Sequence, residues 1–201
     1  MARLSVGRVD WDDAVAVALR RAMYDDLAVA YPDETAAVEA AGGFAALDER
    51  ARVAVVATVL VRSDAQGDET PAGPAGPGPA GPGPAWGRAV GCASVRLLGP
   101  DGASDRGPDL AAEGLPGPAG ELTKVFVLPS ARRSGAGRAL LRGIEHVARG
   151  WGMHALVLET GAAQQDAVRL YLAAGYRRIA PYPPYVGDAS SLCFARVLDP
   201  H

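Results

Sequence analysis

Polar and apolar positions change rhythm several times along the chain, and each change predicts an element. Residues 10–30 (DWDDAVAVALRRAMYDDLAVA) carry helical spacing, with Asp10, Asp12 and Asp13 at the end where the helix dipole favours negative charge. Pro32 ends that helix or bends its exit, and a second short helix follows over 34–41, stopped by Gly42 and Gly43. Residues 53–62 (VAVVATVLVR) are a continuous, largely β-branched run, which reads as a buried strand, and 88–98 (RAVGCASVRLL) as a second. Next come a strand over 121–128, a helix over 135–150, a strand over 154–160, a helix over 164–174 and a strand over 190–198. In the 135–150 helix Leu140, Leu141, Ile144, Val147 and Ala148 share one face, and Trp151 extends it. Strands first, then strand–helix–strand–helix–strand, predict a mixed α/β fold with a parallel, right-handed crossover over 121–160.

Between the first two strands lies ETPAGPAGPGPAGPGPAWG. Collagen needs glycine at every third position, whereas here glycines fall at 73, 76, 78, 81 and 83. The tract therefore reads as an extended, disordered insertion over 68–85 at a hairpin tip, within one domain spanning 1–201. A second Gly/Pro-rich stretch, 99–120, joins the next two strands.

Composition narrows the classes. The chain has 201 residues, 49% of them hydrophobic, enough for one well-buried domain. The formal charge is −3, so nothing in the whole chain points to nucleic acid. The charge is uneven: residues 1–70 hold seven Arg against thirteen acids, and residues 120–201 hold ten Lys and Arg against six. The basic part suits an anionic ligand and the acidic part a cationic one. Cys92 and Cys193 lie in apolar runs and read as buried free thiols in a reducing compartment; no metal-ligand spacing is present, and no metal is expected. Without a signal-like start or an apolar run long enough to span a bilayer, the expectation is a cytoplasmic protein with no membrane partner.

The chemistry is concentrated in residues 129–139, PSARRSGAGRA, between the KVFVL run and the 135–150 helix. Strand, basic glycine turn and helix N-terminus in succession offer amides and a positive dipole end to an anion, most often phosphate. A P-loop needs Lys and Ser/Thr after its last glycine, and Gly137 is followed by Arg138 and Ala139. A dinucleotide fingerprint needs a third small residue, where Leu140 stands, and a strand directly before the turn, where Pro129 to Ser134 intervene. The remaining pattern is [RQ]-x-x-G-x-[GA] after V-x-P, filled by Arg132, Gly135 and Gly137.

With this turn the chain resembles the GNAT superfamily of acetyl-CoA-dependent N-acetyltransferases. A second stretch, LETGAAQQDAVRLYLAAGY over 158–176, is similar to that family's loop and helix ending L-Y-x-x-x-G-[YF], with Tyr171, Gly175 and Tyr176 in place and Gln164 where members commonly carry Asn. The resemblance covers 121–198 well and implies a central mixed, mostly antiparallel sheet with one splayed parallel pair and helices on both faces. It implies acetyl-CoA as cosubstrate, its diphosphate on the turn residues Arg132, Arg133, Ser134, Gly135, Ala136, Gly137, Arg138 and Ala139, with a further contact from Gln164. Backbone groups of Phe126 and Val127 would meet the pantetheine arm, with the Val127 N–H as oxyanion donor. Tyr171 would be the general acid for the departing thiolate, and Glu121 the base for the amine, with Glu159 second.

Tyr182 and Tyr185 in PYPPYVGD, with Tyr24 and Tyr31 from the first helix and its exit, are candidates to line an amine pocket together with Glu159. These readings converge on acetyl transfer to a small primary amine. A non-catalytic acyl-CoA-binding module and a protein or peptide acetyltransferase are the alternatives. An apolar last strand at a sheet edge could pair across a homodimer.

Overall fold

The computed structural model describes residues 3–52, 55–64, 87–98 and 107–199. The 68–85 insertion lies outside the described residues. In chain order the elements are β1 (Leu4–Val9), α1 (Ala14–Ala30), α2 (Pro32–Ala40), α3 (Gly43–Arg52), β2 (Val55–Ser63), β3 (Arg88–Leu97), β4 (Ala119–Val127), α4 (Ala136–Gly150), β5 (Ala155–Gly161), α5 (Gln165–Ala173), β6 (Arg177–Arg178) and β7 (Ser191–Val197), with a 3₁₀ turn at Pro129–Ala131. The strands form one sheet in the order β1-β2-β3-β4-β5-β7-β6. All neighbours run antiparallel except β4 and β5.

The apolar periodicity of α4 is what seats it. Leu140, Leu141, Ile144 and Ala148 are fully buried against one face of the sheet, packed with Val59, Val61, Val95 and Leu156. Trp151 departs from the expected face: it caps the C-terminus of α4, stays half exposed, and carries the Arg8 guanidinium over its ring. Helix α5 lies on the same face through Val168, Leu170 and Tyr171. The opposite face is covered in two patches. Ala16 and Leu19 of α1 pack on Leu60, Cys92 and Phe126. Leu110, Leu115, Ile179 and Tyr182 pack on Ala155, Val157, Cys193 and Ala195. Alternation along β5 thus sends Leu156 and Leu158 to α4 and Val157 to the tyrosine side.

Asp13 caps α1 by accepting from the N–H groups of Val15 and Ala16. Pro32 opens α2, where its missing N–H costs nothing. Both cysteines are buried and free. The last strand is not the sheet edge: β7 lies between β5 and the two-residue β6, which pairs with Ala195 and Phe194.

Candidate active site

Strands β4 and β5 begin as a parallel pair and then part. Their register is Ala119↔Ala155, Gly120↔Leu156 and Glu121↔Val157, and it stops there. The cause lies on the other side of β4. Between the pairs Ser94↔Thr123 and Cys92↔Phe126, β3 has one residue and β4 has two, Lys124 and Val125. This bulge puts Lys124 in left-handed conformation at φ 54° and bends β4 away from β5. Beyond the bulge, Leu128 N–H donates to Val90 of β3, so Val127 directs its own N–H and C=O towards the gap. The Phe126 carbonyl sits against Gly91 of β3, while other atoms of Phe126 line the opening. Val125, which the sequence reading did not single out, joins Val127 in lining the opening.

The gap continues into a cavity of about 810 Å³ bounded by β4, the glycine turn, α5 and one side of α1. In the turn, Gly135 at φ 92° and Arg133 at φ 64° both take left-handed backbone, the kind of alternation from which an anion nest is built. Arg132, Arg133, Gly135, Gly137, Arg138 and Gln164 all line the cavity. Arg169 of α5 adds another cation. Ser134, Ala136 and Ala139 play another part. The Ser134 hydroxyl donates to Ala131 C=O at 2.7 Å and receives the Ala136 N–H at 3.4 Å. The Ala139 N–H is taken by Gly135 C=O. The Arg132 guanidinium bridges the cavity wall, donating from Nε to Val127 C=O at 3.2 Å and from Nη2 to Asp26 of α1 at 2.7 Å. Asp26, Met23 and Leu27 were not legible as lining, because α1 lies about a hundred residues upstream of the turn it faces.

Tyr171 also lines the cavity. Its ring is buried beside Tyr176 and Phe194. Burial, with a smaller contribution from the Glu159 carboxylate, holds its phenol well above the usual value.

Both candidate carboxylates lie on the tyrosine side of the sheet, opposite Leu158. Glu121 is buried, and both of its oxygens are engaged: Oε2 by Arg96, and Oε1 by the hydroxyls of Tyr182 at 3.0 Å and Tyr185 at 3.4 Å. Burial raises its pKa, and the Arg96 charge and the tyrosine hydrogen bonds pull it back in part. Glu159 is half-buried at the divergent end of β5, and its Oε1 accepts from the Ser191 hydroxyl at 2.7 Å. Burial raises its pKa too, opposed by the Ser191 bond and reinforced by Asp188, Glu121 and Glu34.

The four tyrosines separate. Tyr182 and Tyr185 meet edge to face at 5.3 Å and together hold Glu121. Tyr24 is tied instead to α2, donating to Glu39 at 2.7 Å and packing on Phe44. Tyr31 reaches from the α1–α2 junction to β5, where its buried hydroxyl lies against Gly161 with no hydrogen-bond partner among the described residues. A side chain on Gly161 would overlap it.

A sheet opened by a bulge, with a basic glycine turn at the mouth, leaves room for an extended, phosphate-bearing ligand between two strands. Residues 81–176 match the acetyltransferase (GNAT) family. An IAA acetyltransferase of Azospirillum brasilense is 42% identical over 79 residues, 39% of this chain and 52% of that one. An aminoglycoside N(6')-acetyltransferase type 1 of Klebsiella aerogenes is 40% identical over 55 residues, 27% of this chain and 36% of that one. The chain thus spans about half, or less, of the length of these curated relatives. The solved structure of an IAA acetyltransferase from Bacillus cereus superposes with a TM-score of 0.54 at 16% identity, over 98% of this chain and all of that one, a likeness of fold. Over residues 81–176, just under half of the chain, the protein is thus similar to the GNAT family of acetyltransferases.

Proposed function

We propose that this protein transfers the acetyl group of acetyl-CoA to a primary amine of a small molecule by direct attack. The observation that carries the reading is the gap between β4 and β5, with the nest of Arg132 to Arg138 at one end and Tyr171 in its wall. In this reading the turn amides and Arg133, Arg138 and Arg169 hold the diphosphate. Val127 offers its N–H to the oxygen that gains charge as the amine attacks the thioester, worth about 3 kcal/mol of barrier for such a donor. Tyr171, a neutral phenol in the cavity wall, hands its proton to the departing thiolate.

The base is Glu159 rather than Glu121. Arg96, Tyr182 and Tyr185 occupy the lone pairs that Glu121 would need. Glu159 has an oxygen outside its Ser191 bond, and its field reaches the Tyr171 phenol. Glu121 instead holds the tyrosine loop against β4. The names of the curated relatives, which include an aminoglycoside acetyltransferase, support a small amine as acceptor.

The test is acetyl-CoA consumption against a panel of amino acids, polyamines and aminoglycosides, with thiol release as readout. Turnover with at least one amine is the expected result. Tight acetyl-CoA binding with no turnover against the whole panel, peptides included, would leave a binding module instead.

A further inference from the structure

Acetylating an ammonium releases one proton to solvent for every amide formed, so a buried base needs a way to discharge. The Ser191 hydroxyl lies 2.7 Å from Glu159 Oε1 and 3.0 Å from Asp188 Oδ2. The single Ser191 proton thus faces both carboxylates, and the Ser191 oxygen keeps lone pairs that can take a proton from either acid. Asp188 is the poorer place for such a proton. Its Oδ1 already accepts from the Ser190 N–H at 2.8 Å and the Ser190 hydroxyl at 2.6 Å, which favours the ionised form. Glu159 is the better place, having lost solvent and facing Asp188, Glu121 and Glu34. Once Glu159 has taken a proton, the order of donors is Glu159 to Ser191 Oγ, and the Ser191 hydroxyl to Asp188. Ser191 is buried, whereas Asp188 is exposed, so the chain of donors runs from the gap to water.

We propose that Glu159, Ser191 and Asp188 form a proton exit that carries the acceptor's ammonium proton out of the active site. This rests on the acetyl-transfer reading with Glu159 as base. The ammonium N–H bond breaks as its proton moves to Glu159. That proton then passes from Glu159 to Ser191 Oγ as the Ser191 proton passes to Asp188 Oδ2, and Asp188 releases it to water. The amine is left neutral with its lone pair free to attack, and no electrons change hands. The fold places the path at the open end of β5, where Gly161 pairs with Ser191, and the loop over 187–190 brings Asp188 back beneath it.

Steady-state kinetics with an accepted amine tests the exit. Ser191→Ala breaks the chain of protons, and kcat is expected to fall at least about tenfold with acetyl-CoA affinity unchanged. Ser191→Thr keeps a hydroxyl and should retain most of the rate. Added imidazole buffer should recover part of the Ser191→Ala loss by carrying the proton itself. Asp188→Asn, on the exposed loop, keeps an acceptor for Ser190 and removes the last proton site, so it should show the same buffer dependence. Wild-type kcat in Ser191→Ala overturns the exit, as does a loss that neither buffer nor threonine recovers. Absence of turnover by the wild-type protein across the amine panel would remove the acetyl-transfer reading itself, and the exit with it.

Discussion

At the scale of single residues the deciding quantity is how many hydrogen bonds a group has already spent. Tyr171 illustrates a residue legible from its motif: spacing placed it on a helix, and the fold brings it to the cavity wall. Removing only its hydroxyl, in Tyr171→Phe, is expected to lower kcat about a hundredfold with little change in acetyl-CoA affinity, measured by steady-state kinetics and calorimetry. A ring that merely fills space would give wild-type rates in Phe. The carboxylates were harder to rank from sequence, because the partners that distinguish them come from afar. Arg96, Tyr182 and Ser191 are 25, 61 and 32 residues from the acids they bind. Glu159 also has a thermodynamic signature. Its folded-state pKa is raised by burial, so its favourable contribution is complete below the unfolded value near 4.3 and is lost as pH rises through the folded one. Glu159→Gln never ionises. Its melting temperature should exceed that of the wild type at pH 8, and the difference should vanish towards pH 4.

Among elements, those with strong periodicity were the legible ones. The apolar stripe of α4 and the β-branched run of β2 each announce an element that buries one or both faces. Strand β1 (LSVGRV) escaped, because it is largely exposed at the sheet edge and carries no buried run. Helix α3 (GFAALDERAR) escaped because the glycines before it read as a stop, and two-residue β6 offers no pattern at all. These omissions also hid the role of α1. Its Asp26 holds Arg132 at 2.7 Å across the cavity wall, and both side chains are 41% exposed, so the pair is worth no more than about 1 kcal/mol. An anionic diphosphate reaching the turn competes with that carboxylate for the guanidinium. Asp26→Asn is therefore expected to tighten acetyl-CoA binding about two- to fivefold by calorimetric titration. Weaker binding would mean that Asp26 orients Arg132 for its ligand.

Across the whole molecule, the sheet is two blocks meeting at one weak seam. Strands β1 to β4 form one, and β5, β7 and β6 the other, and the short parallel stretch from Ala119 to Glu121, with the His154 N–H donating to Pro118 C=O, stitches them. Backbone groups past that seam, Val127 among them, present hydrogen-bonding capacity with no strand opposite. An extended amide-bearing chain laid into the seam would act as a missing strand and splice the blocks into one continuous ladder. The bound molecule would then be a structural member as well as a reactant. Amide exchange measured with and without acetyl-CoA should show this as slowing that is centred on Val127 and spreads into both blocks, whereas a ligand gripped only at its phosphates would slow the glycine turn and leave the strands as they were.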